Sequence, residues 1–290
     1  MEEKITEIYY GPRDKTFKDF ITKLLGFADM NDEYVEYLTN AENMIEYGKA
    51  FTSESADSED NYQVYEQLGD LDANRFIVWY MYRRFPKLHC SKAVKIVARL
   101  RINYGSKQTF SVIANDLGFW PFVSATVEER ETRMKPLLED SFEGFLGATA
   151  FLLDKHTQNG VGSAIVYDIL ETIFNKIPIS LKYEDLYDAK TRLKETFDVF
   201  DKTLEAKYVS VKGEDRITRT VVYMGSKQSK VNMLGEEVRV PKDWVEIGRG
   251  EKPAKADSEQ AAASVGLNTL KYRKRWEKPV PEIYKTFCEK

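Results

Sequence analysis

The sequence predicts two domains, an all-α body followed by an α+β module of order α-β-β-β-α. Three observations carry this. A chain of 290 residues suits two domains and can bury at least one sizeable core. From Thr16 to Ile177 apolar residues recur three and four apart, with almost no strand-like alternation. The formal charge then changes sign: residues 1–187 hold 21 basic and 30 acidic side chains, net −9, and residues 188–290 hold 22 and 17, net +5. An acidic body joined to a basic module points to a polyanionic partner, nucleic acid being the usual one. The alternative is a compositional fluctuation over about a hundred residues.

Element by element, helical periodicity runs through Phe17–Leu25, Tyr34–Leu38, Phe76–Phe85, Ala93–Leu100 and Phe142–Leu153. Thr52–Asn61, rich in Ser, Asp and Glu, reads as a loop leading into a helix. Ile177-Pro-Ile-Ser180 reads as a linker, since proline disfavours helix in the residue before it. Asp188 is placed to N-cap a helix reaching Asp201. Tyr208–Val211, Thr218–Met224 and Trp244–Ile247 are β-branched or aromatic runs between turn residues, and Ala254–Leu270 is an Ala-rich helix. Strands adjacent in sequence imply an antiparallel sheet with both helices on one face.

Composition excludes several classes. The longest apolar stretches, Phe76–Tyr82 and Gly144–Leu153, are too short to span a bilayer, so no membrane association is expected. The acidic opening Met-Glu-Glu-Lys has no hydrophobic segment of a secretory signal. Two cysteines, Cys90 and Cys288, make no disulfide scaffold, and a reducing, cytoplasmic setting is the expectation. With only His89 and His156 beside them, a structural zinc site is excluded, and any metal must be held by oxygen. The histidines also lack a serine or cysteine nucleophile in a recognisable arrangement, and no Gly-rich phosphate loop precedes a lysine.

Two acidic pairs stand inside apolar helical segments. Glu66 and Asp70 are four apart, and Asp140 and Glu143 are three apart, so each pair shares a helix face. In a chain with 47 acids, about seven pairs arise by chance at any one spacing, and most are solvated faces or N-caps. The setting distinguishes these two. The helix after Glu143 is apolar nearly all round, and carboxylates there are costly to bury without a cation or donors. Four convergent carboxylates without neighbouring Arg or Lys suit Mg²⁺, or Mn²⁺ in its place. Gly144, Gly147 and Ala148 would let another backbone approach closely.

These residues resemble the ribonuclease III family. Asn61-Tyr-Gln-Val-Tyr-Glu66-Gln-Leu-Gly-Asp70 is similar to its signature helix, and Ala50-Phe-Thr-Ser53 to the segment before it. Tyr82-Arg-Arg-Phe-Pro86, Ser111-Val-Ile-Ala-Asn-Asp-Leu-Gly118 and Glu139-Asp-Ser-Phe-Glu-Gly-Phe-Leu-Gly-Ala148 come next in the family's order. Asp188-Ala-Lys-Thr-Arg-Leu-Lys-Glu195, Gly248–Lys255 and Glu259–Ala263 resemble the ends of a double-stranded-RNA-binding domain. The resemblance covers residues 30–275 and implies an all-α catalytic domain at 28–178 and an α-β-β-β-α RNA-binding domain at 186–275.

It implies Mg²⁺-dependent hydrolysis of double-stranded RNA by a homodimer, leaving short 3′ overhangs. Glu66, Asp70, Asp140 and Glu143 match the metal-holding acids, with Asp70 and Glu143 the expected direct ligands. Glu195 matches a position that reaches the minor groove. Lys255 matches a phosphate contact, and Arg249 and Lys252 lie beside it. Such recognition reads A-form shape and 2′-hydroxyls with little sequence preference.

The chain also departs from the family pattern. Gln63 stands where glutamate is frequent, and Gln67 where an apolar residue plugs into the partner subunit. Ala256 replaces a usual lysine, and Gly213-Glu-Asp-Arg216 lacks the Gly-Pro-x-His form. Gly225–Lys242 reads as an insertion whose Lys227 and Lys230, with Arg239 and Arg249, either compensate in RNA binding or are solvated loop charges. Lys135 stands about one residue out of register from a lysine used by some members. Trp79, Tyr80, Tyr82 and Trp120 have core-like spacing and are read as structural. The rival reading, supported by Gln63 and Gln67, is a non-cleaving protein that sequesters double-stranded RNA.

Overall fold

The structure, a computed structural model, describes residues 7–228, 232–234, 237–239 and 244–288. The chain divides into two compact units, Met1–Ile179 and Ser180–Lys290. The first is helical: β1 (Ile8–Tyr9), α1 (Lys15–Leu25), α2 (Asp32–Leu38), α3 (Ala41–Ala50), α4 (Gln63–Arg84), α5 (Val94–Tyr104), α6 (Lys107–Leu117), β2 (Ala125–Thr126), α7 (Val127–Thr132), α8 (Met134–His156) and α9 (Val161–Phe174). Its only sheet among the described residues is the two-residue antiparallel pair β1–β2.

Helix α8 is the axis of this unit. Every residue from Ser141 to Ala150 is buried, because α3, α4, α6 and α9 pack round it. A helix apolar on all sides must be enclosed in this way. The segment ahead of residue 28 belongs to the same body. Phe17 and Phe20 of α1 are buried against Phe51, Phe119 and Phe122, with ring centroids 4.5–5.9 Å apart. Arg13 fastens that segment, donating to the carbonyls of Gly48, Phe51 and Phe122.

The expected core role of the aromatic run holds for Tyr80, which is 2% exposed. Trp79 departs from it, being 49% exposed. The buried stripe of α4 runs through Tyr65, Gly69, Ala73, Phe76, Ile77, Tyr80 and Met81, and position 79 lies off that stripe. Trp120 is also not in the core; it carries the Arg130 guanidinium 3.8 Å from its ring.

The second unit comprises α10 (Tyr183–Leu186), α11 (Ala189–Phe200), β3 (Leu204–Lys212), β4 (Thr218–Ser226), β5 (Asn232–Leu234), β6 (Glu237–Arg239), β7 (Val245–Lys252), α12 (Lys255–Lys274) and α13 (Glu282–Cys288). Asp188 N-caps α11 by accepting from the Thr191 N–H. Strands pair antiparallel in the order β3-β4-β7. Leu193 and Phe197 of α11 and Ala262, Ala263 and Leu270 of α12 meet Val222, Met224 and Ile247 of the sheet in one core. Helices and strands thus run in the order α-β-β-β-α, with an extra hairpin, β5–β6, between the second and third long strands. Lys230 of that stretch lies outside the described residues, as do the side-chain surroundings of Arg239.

Candidate active site

Two glycines bring the acidic pairs together. A Cβ added at Gly69 would lie 1.9 Å from the Glu143 carbonyl oxygen, and one at Gly147 would lie 1.9 Å from the Tyr65 carbonyl oxygen. Helices α4 and α8 therefore touch backbone to backbone. Glu66 and Asp70 flank the crossing on one helix, Asp140 and Glu143 on the other. Asn61 starts α4 by accepting from the Gln63 N–H, and Pro136 fits the first turn of α8, where its missing N–H costs nothing.

A cleft of about 420 Å³ opens at the crossing, lined by Gln63, Glu66, Gln67, Asp70, Lys107, Glu139, Asp140 and Glu143. Carboxylate oxygens of Glu66, Asp140 and Glu143 lie within 4.8 Å of one another. Glu143 is 5% exposed, and Glu66 and Asp140 are half-buried. The Tyr62 hydroxyl donates to Asp140 Oδ2 at 2.9 Å and fixes that side chain. Asp70 borders the same cleft but stands outside the close group. Its Oδ1 accepts from Asn74 Nδ2 at 2.6 Å, and Asn74 in turn accepts from Arg101 at 2.9 Å.

Two neighbours were not picked out by sequence reasoning. Glu139 joins the cleft as a further acid, and Lys107, at the start of α6, forms an ion pair with it. Burial opposes the Lys107 charge, but the bond to Glu139 and the fields of Asp140 and Glu143 more than offset this and hold its value high. No sequence signal ties Lys107 to acids about thirty positions away. Lys135 instead donates to Gln108 on the outside of the unit. Gln63 donates to Glu54 at 2.8 Å, so an acid is present next to that position after all.

The electrostatics suit a bound cation. Burial, then the charges of Asp70, Glu139, Glu66 and Asp140, push Glu143 up to about 9. Burial and the same neighbourhood push Glu66 up to about 7, and Asp140 and Glu139 are raised, chiefly by burial. One lysine does not balance five clustered acids. A hard divalent cation with oxygen ligands fits this donor set, with Glu66, Asp140 and Glu143 placed to hold it.

These shifts make stability depend on pH. Both glutamates sit above their unfolded value of about 4.3, so the fold retains protons that the unfolded chain has released, and stability falls as pH rises from there through about 9. In chelator, wild type should lose stability relative to Glu143→Gln between about pH 5 and about pH 9. Mn²⁺ should raise wild-type stability more at the alkaline end. Melting curves across that range check this; a wild-type advantage that grew with pH in chelator would contradict the cluster's electrostatics.

In the second unit the four remaining candidates occupy different settings. Lys252 ends β7 and Lys255 opens α12, both exposed at one turn. Arg249 is exposed on β7 and pairs with Glu246 at 2.7 Å. Glu195 lies on α11, its carboxylate bonded by Tyr183 and Lys278.

No family model matches the chain. It is 40% identical over 294 residues to a putative ribonuclease 3 of invertebrate iridescent virus 6, an alignment spanning 97% of this chain and 96% of that protein. It is 42% identical over 172 residues to a putative ribonuclease 3 of frog virus 3, spanning 59% of this chain and 46% of that one. It is 27% identical over 231 residues to ribonuclease 3 of Aliarcobacter butzleri, spanning 77% and 89% respectively. No helix among the described residues is long and apolar enough to cross a membrane.

Proposed function

The chain belongs to the ribonuclease III family, and we propose that it is an endoribonuclease that cuts double-stranded RNA as an Mg²⁺-dependent homodimer, leaving short 3′ overhangs. The observation that carries the reading is the convergence of Glu66, Asp140 and Glu143 in the cleft where α4 and α8 touch. These three would hold the metal, and Asp70, which borders the same cleft with its carboxylate on Asn74, would complete the acidic set. When bound, divalent ions stabilise the charge developing on the phosphodiester oxygens. The chain's own contribution is position. Tyr62 orients Asp140, the glycine contacts fix the separation of the two helices, and Lys107 neutralises Glu139 at the cleft wall.

Dimerisation has support on α4 itself. Val64, Leu68 and Leu71 form an exposed stripe at helical spacing, 68%, 37% and 63% accessible. Gln67, at the position of the family's apolar plug, lies on the same side and also lines the cleft. Burying that stripe against a second copy offsets the loss of the plug. Leu68→Glu should therefore shift the sedimenting species from dimer to monomer; an unchanged dimer would place the interface elsewhere.

We assign residues 28–178 to catalysis and 186–275 to binding of the duplex. The α-β-β-β-α order and the exposed Arg249, Lys252 and Lys255 support the second assignment. Each lysine that neutralises a phosphate contributes about one to the slope of log affinity against log salt. Lys255→Ala should reduce that slope by about one and weaken all duplex sequences alike. An unchanged slope would remove Lys255 from the interface.

The metal assignment has a readout apart from activity. Calorimetric titration of Mn²⁺ into wild type should show binding that Glu143→Gln loses by roughly 10-fold or more. Equal affinity in the two would overturn it.

A further inference from the structure

Beyond α12 the chain reverses and returns over α10 and α11. Trp276 stacks on Phe200 with 5.7 Å between ring centroids and 5° between planes, and meets Phe197 edge-on. Lys271 holds Glu277 at 2.6 Å, which fixes the reversal. Lys278 Nζ then reaches Glu195 Oε2 at 2.5 Å and the Tyr183 hydroxyl at 2.9 Å. Tyr183 donates to the same Glu195 oxygen. Farther on, Tyr284 of α13 is 4% exposed, its ring 5.1 Å from Tyr183 and 5.6 Å from Tyr187, its hydroxyl 2.6 Å from that of Tyr187. Residues 276–288 thus form a strap held by aromatic contacts at Trp276 and Tyr284 and by the ion pair of Lys278.

The ion pair falls on a carboxylate that the RNA-binding reading needs. A glutamate that reads the minor groove works by accepting from 2′-hydroxyls, which requires free lone pairs and an open helix face. Here the Oε2 of Glu195 is shared by an ammonium and a phenol. We propose that residues 276–288 are an autoinhibitory strap, which occupies Glu195 in the free protein and must leave α11 before the second unit can engage duplex RNA. This rests on the reading of that unit as RNA-binding. The affinity measured for the whole chain is then the intrinsic affinity reduced by the fraction of molecules whose strap is open. The fold supplies the reason for reversibility. The ion pair is partly exposed and worth little in water, so release costs mainly the aromatic contacts.

The sign of one substitution separates this from a plain structural or electrostatic role. Lys278→Ala deletes a positive charge, which by itself weakens attraction to RNA. Under the proposal it opens the strap instead, and full-length Lys278→Ala should bind a paired RNA in chelator roughly three- to ten-fold more tightly than wild type. Tyr284→Ala, which changes no charge, should shift affinity the same way. Hydrogen exchange of residues 282–288 should quicken when RNA is added to wild type. Weaker or unchanged binding by both variants, or slower exchange of that segment with RNA, overturns the strap. Lys255→Ala run in parallel tests the underlying reading. If Lys255→Ala weakens binding while the strap variants do not strengthen it, only the strap fails. If neither wild type nor the strap variants bind duplex, both fail together.

Discussion

Glu143→Gln should abolish cleavage of duplex RNA, by roughly 10³-fold or more, while leaving duplex affinity in chelator within about two-fold of wild type. Glutamine keeps the volume and polar reach of the side chain but not its charge. Glu143 is the most buried of the clustered acids, and it lies within 4.8 Å of Glu66 and Asp140. Under the proposed metal assignment, removing its charge removes a cation ligand, and it also relieves repulsion among the remaining acids. The variant should therefore melt higher than wild type in chelator at alkaline pH, although it is inactive. That combination distinguishes loss of a ligand from loss of the fold. Cleavage rate, affinity in chelator and melting temperature, measured on one preparation, check it. Equal loss of cleavage and binding would sink the ligand assignment. Glu66→Gln and Asp140→Asn should behave in the same way.

Gly147→Ala should cost about 3 kcal/mol of stability and lower the melting temperature by about 10 °C. The added methyl would lie 1.9 Å from the Tyr65 carbonyl, which belongs to helix backbone and cannot swing aside. α4 and α8 would have to move apart by roughly an ångström or more to restore ordinary contact. Alanine's better helix propensity returns only about 1 kcal/mol. Gly69→Ala meets the Glu143 carbonyl at the same distance and should do equal damage. Both should also lose cleavage, because the crossing that sets the carboxylate separation is the one that opens. Thermal melts and cleavage assays check this. A variant with wild-type stability would show that the helices are not in backbone contact.

The acidic set is legible in the sequence because its spacing is local. Three- and four-residue intervals place each pair on one face, and the apolar run after Glu143 marks its helix as internal. The small residues at 144 and 147 likewise signal a close approach, though not that its partner is Gly69. Long-range partners are not legible. Lys107 reaches Glu139 from the first turn of α6, and Asp70 is tied to Asn74 and Arg101 rather than to the other acids. Nothing in the local pattern of either segment specifies those pairs. Trp79 defeats a reading by spacing because the seven-residue apolar run Phe76–Tyr82 covers more than one helix face, and only part of it can be buried. The strap is hidden for a different reason. Its helix, Glu282–Cys288, is only seven residues and derives its order from tyrosines on α10 and at residue 187, not from its own periodicity.

The Gln63 and Gln67 departures carry less weight once the geometry is known. Gln63 is within hydrogen-bond reach of Glu54, and Gln67 stands on a face where Leu68 and Leu71 already supply exposed apolar surface. A protein that only sequestered RNA would have no physical reason to keep Glu143 buried among four other acids.

The most direct measurement is incubation of the full chain with an end-labelled, perfectly paired RNA in Mg²⁺ and in excess chelator, beside the same sequence as single strands and as DNA duplex. Short RNA duplexes with 3′ overhangs, formed only in Mg²⁺ and only from the paired RNA, are the expected result. Intact duplex RNA retained on the protein in Mg²⁺ and in Mn²⁺ would contradict the account and leave an RNA-binding protein whose acidic cleft does no cleavage.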